Sequence, residues 1–261
     1  MQRKKDSRAT AIDETALNRK RLINNDTPFA VKEAYVKLRT NLMFCMTADK
    51  QRPCKVFAIT SSNPSEGKSL TAANIAISYA MLGRKTLLID ADLRKPTQQR
   101  LWKVEISSGL CDFLANIGSL EMAQVESIPL TVVCTGTIPP NPSELLASDR
   151  MKHFINACAQ SYDYVIIDTP PINTVADAQI ISTFVDGVVV VAKSGETSSD
   201  DLCAAIDAVD RAGGNLCGVV LNDLNIRTAK YSYRYKYGDR YGSKYGYRYS
   251  YKSYKESNKE S

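Results

Sequence analysis

A chain of 261 residues, 44% hydrophobic and 24% charged, has room for one large α/β domain with extensions, or at most two small ones. Seven scattered cysteines without a Cys-x-x-Cys pair, and a single histidine, His153, argue against a zinc site or a disulfide framework; most of the cysteines are expected to be small core residues in a reducing cytosol. The longest apolar runs, such as Gly187 to Ala192, fall far short of the roughly 20 residues of a membrane span, so the expectation is a cytoplasmic protein that can still dock on the inner face of a membrane.

Residues 1–28 are polar and weakly periodic and read as a flexible arm ending at Pro28. Residues 29–47 follow as an amphipathic helix, with Val31, Tyr35, Leu38, Leu42 and Phe44 to Met46 on or near one face. From Lys55 to about Asp223, short apolar strands alternate with helical stretches. The strands are Val56–Ile59, Thr86–Ile89, Thr131–Cys134, Tyr164–Ile167, Val188–Ala192 and Leu216–Leu221. A helix from Lys68 to about Leu82 closes on Gly83, the usual residue for a left-handed C-terminal cap. Asn141-Pro142-Ser143-Glu144 has the composition of a helix start, with an Asn cap, a proline in the first turn and Glu at the third position. This alternation predicts a mostly parallel sheet covered by helices on both faces, in a domain spanning residues 29–228.

Ser62-Asn63-Pro64-Ser65-Glu66-Gly67-Lys68-Ser69 lies between a strand and a helix. That is where a P-loop curls main-chain N–H groups around phosphates at a helix N-terminus. Residues 63–69 are therefore candidate ATP-binding residues: Gly67 permits close approach, Lys68 reaches the β- and γ-phosphates, and the Ser69 hydroxyl ligates Mg²⁺. Ser62 stands where the first glycine is usual. Two later apolar strands end in carboxylates, at Asp90-Ala91-Asp92-Leu93-Arg94 and at Asp168-Thr169-Pro170. Ligands of open α/β sheets bind at this C-terminal edge. Asp90 and Asp92, two residues apart, point the same way if the segment is extended. Asp168 has the form expected of a carboxylate holding Mg²⁺ through its water shell. All three acids are expected to converge on the γ-phosphate.

Beyond residue 228 the composition changes. Residues 229–261 contain ten of the fourteen tyrosines (Tyr231, Tyr233, Tyr235, Tyr237, Tyr241, Tyr245, Tyr247, Tyr249, Tyr251 and Tyr254), and residues 231–261 carry eight cations against three anions and no aliphatic side chain. Such a tail has little to bury and is expected to be disordered when free. Alternating aromatic and basic residues also suit single-stranded nucleic acid, but an ATP site on the same chain turns the reading against a nucleic-acid partner.

The P-loop, the Asp90-x-Asp92-x-Arg94 and Asp168-Thr169-Pro170 elements, the run Gly136-Thr137-Ile138-Pro139-Pro140-Asn141-Pro142-Ser143-Glu144-Leu145-Leu146 and the terminal tyrosines together resemble the bacterial tyrosine kinases of capsule and exopolysaccharide operons, over most of residues 30–254. The resemblance implies a P-loop NTPase fold and transfer of the ATP γ-phosphoryl to tyrosines, largely on a neighbouring subunit's tail, in the control of polysaccharide synthesis and export. It implies that Lys68 binds phosphates and that Ser69, Asp92 and Asp168 organise Mg²⁺. Asp90 would accept the tyrosine proton, Arg94 support the phosphates and Asn222 contact adenine. It further implies a membrane-spanning polysaccharide co-polymerase adaptor, a cognate phosphotyrosine phosphatase, and self-assembly through a Glu-x-x-Arg-x-x-Arg element. Here that element reads Glu33 to Arg39, with Val36 in place of the first arginine. Two other readings remain: a positioning ATPase of the partition or division-site type, although Asn63 stands where those proteins carry a signature lysine, and an inactive ATP-binding scaffold.

Overall fold

The computed structural model describes residues 17–45 and 55–224. By its contacts the chain divides after Asp223 into a body and a C-terminal unit. The tyrosine-rich tail and Met46 lie outside the described residues. In chain order the elements are α1 (Phe29–Phe44), β1 (Lys55–Ser61), α2 (Lys68–Ala80), β2 (Thr86–Asp90), α3 (Gln98–Trp102), α4 (Leu110–Leu114), β3 (Ala123–Val125), β4 (Leu130–Val133), α5 (Pro142–Ala147), α6 (Asp149–Ser161), β5 (Tyr164–Asp168), α7 (Asp177–Ser182), β6 (Gly187–Lys193), α8 (Ser199–Arg211) and β7 (Leu216–Asn222).

The seven strands run in the order β3-β4-β2-β5-β1-β6-β7. Every neighbouring pair is parallel except β3 with β4. Alternate residues of each central strand serve opposite faces, because side chains along a strand alternate. Val56, Ala58, Leu87, Ile89, Val165 and Ile167 join one core with Leu146, Met151, Phe154, Ile181, Ala205 and Val209 of α5 to α8. Phe57, Ile59, Leu88, Ile166 and Val189 join the other, with the buried face of α2 and with Ile23, Leu42 and Leu101. Strands buried on both faces must be continuously apolar, which is why β1, β2, β5 and β6 stand out in the sequence. No described helix is long and apolar enough to cross a membrane.

Several expectations need adjustment. β3 was not anticipated; it is a three-residue antiparallel edge strand with no alternation to announce it. Helix α1 buries Leu42, but Phe44 at its end is 82% exposed. Asn141 is followed by Pro142 as expected, yet its side chain caps no main-chain N–H and instead donates to the Glu144 carboxylate. Gly83 does take the left-handed conformation, at φ 75°. Of the cysteines described, Cys111, Cys134 and Cys158 are buried, while Cys203 is exposed. Burial pushes each of those three thiols up to about 12, as for inert core residues.

Register positions the acids. Asp90 of β2 pairs with Asp168 of β5, and Asp168 pairs with Ile59 of β1. The last residues of three adjacent strands therefore deliver two carboxylates and the root of the 62–69 loop to one stretch of the C-terminal sheet edge.

Candidate active site

The 62–69 loop leaves β1 and enters α2 through Gly67, which has φ 89°. A Cβ there would be strained and would sit 2.1 Å from Asn222 Nδ2, so glycine is required twice over. Ser65 also takes a positive φ, 64°. The loop is bound by its own acid. Glu66, 4% exposed, accepts from Asn63 N at 2.9 Å and from the Thr197 hydroxyl. Asn222 at the end of β7 donates to the Glu66 carbonyl at 2.9 Å. The N–H groups of Ser65, Glu66 and Gly67 make no hydrogen bond among the described residues, and they stand at a helix N-terminus, where an anion is favoured.

Lys68 projects into the carboxylates. Its Nζ donates to Asp92 Oδ2 at 2.8 Å and to Ser69 Oγ at 3.2 Å, and pairs with Asp168 Oδ1 at 3.6 Å. Burial would lower the lysine's pKa, but Asp168, Asp92 and Asp90 together hold it above its ordinary value; the ammonium stays charged. Asp168 is fully buried, and burial raises its pKa against the pull of Lys68. Its Oδ2 accepts from Gln98 Nε2 at 2.8 Å, whereas Oδ1 accepts no hydrogen bond among the described residues.

Asp90 and Asp92 reach the site by different means. β2 ends at Asp90, so Asp92 is placed by the turn that follows rather than by strand alternation. Asp90 Oδ2 accepts from Thr97 N at 2.9 Å and Gln98 N at 2.8 Å, and Oδ1 from Asp92 N at 3.2 Å. Asp92 Oδ1 accepts from Lys95 N at 3.0 Å. Burial, with the Asp168 charge, pushes Asp90 up to about 8, against the Gln98 N–H and Lys68, which draw it down.

The structure thus gathers Lys68, Ser69, Asp90, Asp92 and Asp168, with Asn63 to Gly67 and Asn222 beside them. It does not bring Arg94 to this cluster. The Arg94 guanidinium is bound to Asp177 at 2.8 and 3.1 Å and to Ser143 Oγ at 2.9 Å, and its hydrogen bond to Asp177 raises its pKa further. In this arrangement Arg94 bridges the loop after β2 and the starts of α5 and α7.

With this geometry in view, the comparisons with known proteins are specific. Residues 53–248 match a family profile described as ParA, NUBPL iron-transfer P-loop NTPase. Over 204 residues, 77% of this chain and 85% of the relative, the sequence is 43% identical to the tyrosine-protein kinase YwqD of Bacillus subtilis strain 168. The chain belongs to the bacterial tyrosine-protein kinase family. Among solved structures, this kinase is similar to the chimerical protein CapA2B2 (38% identity, TM-score 0.70, covering 76% of this chain and 86% of that one) and to the kinase domain of the Escherichia coli tyrosine kinase ETK (31%, 0.70, covering 84% and 80%).

Sequence reasoning missed the residues that hold the kinase site together. Gln98, fully buried, donates to Asp168 Oδ2 and to the Ser69 carbonyl at 3.0 Å, and accepts from Trp102 Nε1 at 3.1 Å. Its signal was a long polar side chain opening a helix eight residues after Asp90. Thr197 and Asp177 gave none, since their partners lie 131 and 83 residues away.

Proposed function

We propose that this kinase transfers the γ-phosphoryl group of ATP to tyrosines of its own C-terminal cluster, Tyr231 to Tyr254, presented by a second copy. The observation that carries this reading is Lys68 Nζ held between Asp92 and Asp168 at the mouth of the 62–69 loop. A lysine so placed is the phosphate-binding cation of a P-loop site, and two carboxylates beside a serine hydroxyl suit Mg²⁺, which takes few protein ligands and shares phosphate oxygens. Asp168 Oδ1, buried and facing the Lys68 ammonium at 3.6 Å, fits that ion. Ser69, Asp92 and Asp168 would hold it, and it would supply charge neutralisation at the phosphates.

In the transfer, the phenolic oxygen bonds to the γ-phosphorus, the bond from that phosphorus to the leaving ADP oxygen breaks, and the tyrosine proton passes to a carboxylate. Tyrosine's pKa near 10 demands such an acceptor. Asp90 is the assigned base, set beside Asp168 at the sheet edge by the pairing of their strands. Asn222, which donates to the Glu66 carbonyl of the loop, is the residue assigned to contact the adenine. Regulation of capsular or extracellular polysaccharide export, a membrane adaptor that brings the kinase to the inner face of the membrane, self-assembly through the Glu33 to Arg39 face and reversal by a phosphatase belong to the same reading. Within the described chain Arg39 is engaged with α2, donating to the Ser78 carbonyl at 2.6 Å, and the proposed assembly uses what remains of that face.

The test is to incubate purified chain with ATP and Mg²⁺, with and without an adaptor's cytoplasmic segment, and to map phosphotyrosine. Labelling of residues 231–254 that disappears in Lys68→Met is expected. ATP turnover without tyrosine labelling would instead mark a positioning ATPase, and no turnover a scaffold.

A further inference from the structure

Beside the carboxylate cluster lies a second, open pocket of about 420 Å³ lined by Arg94, Lys95, Pro96, Gln99, Arg100 and Ile138. Its lining holds three cations and no acid. Arg94 is bound to Asp177, but Lys95 and Arg100 form no ion pair among the described residues. The one hydrogen bond of the Arg100 guanidinium among those residues goes to the Pro96 carbonyl, at 3.3 Å. Ile138 is 58% exposed and adds an apolar wall. The pocket is built on the loop whose main-chain N–H groups at Lys95, Thr97 and Gln98 hold Asp92 and Asp90, so an occupant sits next to the reacting groups.

Two free cations beside an apolar wall suit a side chain that is flat and apolar along its body and doubly anionic at its tip. We propose that this pocket binds phosphotyrosine, on a tail that has already been phosphorylated once. The proposal rests on the reading of the tail as acceptor. An unmodified tail is basic, with eight cations against three anions over residues 231–261, and the pocket repels it while the carboxylates next door attract it. Each phosphate adds about −1.5 to −2 charge and reverses that preference locally. The two neighbouring sites thus sort unmodified from modified tyrosines.

The spacing of the acceptors completes the argument. In an extended peptide, residues i and i+2 point to the same side about 7 Å apart. Tyr231, Tyr233, Tyr235 and Tyr237 form one such series, and Tyr245, Tyr247, Tyr249 and Tyr251 another; Tyr241 and Tyr254 have no tyrosine two residues away. A phosphotyrosine seated in the pocket holds its i±2 neighbour on the same side of the peptide, close by for the next transfer. Phosphorylation then spreads along each series, and Tyr241 and Tyr254 lag.

The experiment uses the full chain with Mg²⁺ and a non-hydrolysable ATP analogue, and a labelled synthetic peptide of residues 243–253 that is unmodified, phosphotyrosyl at position 249, or phosphoseryl at that position. The phosphotyrosyl peptide is expected to bind about tenfold more tightly than either other form. Arg100→Gln, a substitution at an exposed position, should erase the difference and Arg100→Lys largely keep it. Equal binding of the phosphotyrosyl and unmodified peptides, or a preference that survives Arg100→Gln, overturns the proposal; equal binding of the two phosphopeptides overturns the assignment to phosphotyrosine. A parallel reaction with ATP tests the reading beneath it. If the wild-type chain labels no tyrosine of the unmodified peptide, the acceptor reading fails, while the binding comparison still judges the pocket.

Discussion

Two loops leave neighbouring parts of the same sheet edge and solve opposite problems. The loop after β1, residues 62–67, keeps the N–H groups of Ser65, Glu66 and Gly67 without hydrogen-bond partners among the described residues and is braced from behind by Glu66, Thr197 and Asn222. The loop after β2, residues 91–97, does the reverse, directing the N–H groups of Asp92, Lys95 and Thr97, and that of Gln98 beyond it, onto its own carboxylates. One loop is shaped to receive an anion, the other to satisfy carboxyl groups already present. A site for a highly charged substrate needs both. The first supplies preorganised donors at low reorganisation cost, and the second prevents two buried acids from distorting the sheet edge they terminate.

The contrast predicts that damage to the β2 side is felt in stability and damage to the P-loop side in nucleotide binding. The largest effect is expected at Gln98. Replacing it by Leu removes the donor to the buried Asp168 Oδ2 and the acceptor of Trp102 Nε1, at a cost of about 3 kcal/mol. Urea denaturation of the nucleotide-free chain measures this, and an unchanged midpoint would mean that Gln98 is not the brace described.

Next comes Asp90. Its pKa stands at about 8 in the folded chain and near 3.9 in the unfolded one. Between those values the folded state holds a proton that the unfolded state has lost, so stability falls as pH rises through the window. Asp90→Asn removes that slope. From pH 5 to pH 8, the wild type should lose more stability than the variant, read from denaturation midpoints at each pH. Parallel curves would show that its N–H donors keep the carboxylate ionised throughout.

How much of this was legible beforehand follows from what kind of signal each part leaves. Strands buried on both faces write themselves as apolar runs, and Asp90 and Asp168 were visible because a charge closing such a run is improbable without a use. Gly67 and Lys68 were visible because close phosphate approach admits few residue types. β3 left no trace, having neither length nor alternation. Periodicity puts Phe44 on or near the apolar face of α1, yet the residue is exposed. Arg94 was legible as a cation near the site and illegible in its partner, since Asp177 and Ser143 meet it only when α5 and α7 pack together. Bracing interactions between distant segments are the part that one-dimensional pattern cannot carry.

On the P-loop side the effects are smaller and of another kind. Glu66→Ala removes the acceptor for Asn63 N and the Thr197 hydroxyl, so the loop must be ordered by the nucleotide itself. ATP affinity should fall about tenfold, about 1.4 kcal/mol, with kcat changed much less and urea stability nearly retained. A loss confined to kcat would place Glu66 in the chemistry instead and blur the distinction between the loops.

The smallest effect should be a gain. Ser65 is held at φ 64°, in the left-handed region that costs a residue with a Cβ about 1 kcal/mol. Glycine relieves this but brings extra freedom to the unfolded chain, which returns much of the benefit. Ser65→Gly should therefore stabilise the nucleotide-free chain by no more than about 0.5 kcal/mol. Its ATP affinity should match the wild type if the main-chain N–H, which glycine keeps, is what Ser65 offers the nucleotide. If the variant instead binds ATP more weakly, the strained serine is holding the loop in its receptive shape, and the bracing from Glu66 is not sufficient alone.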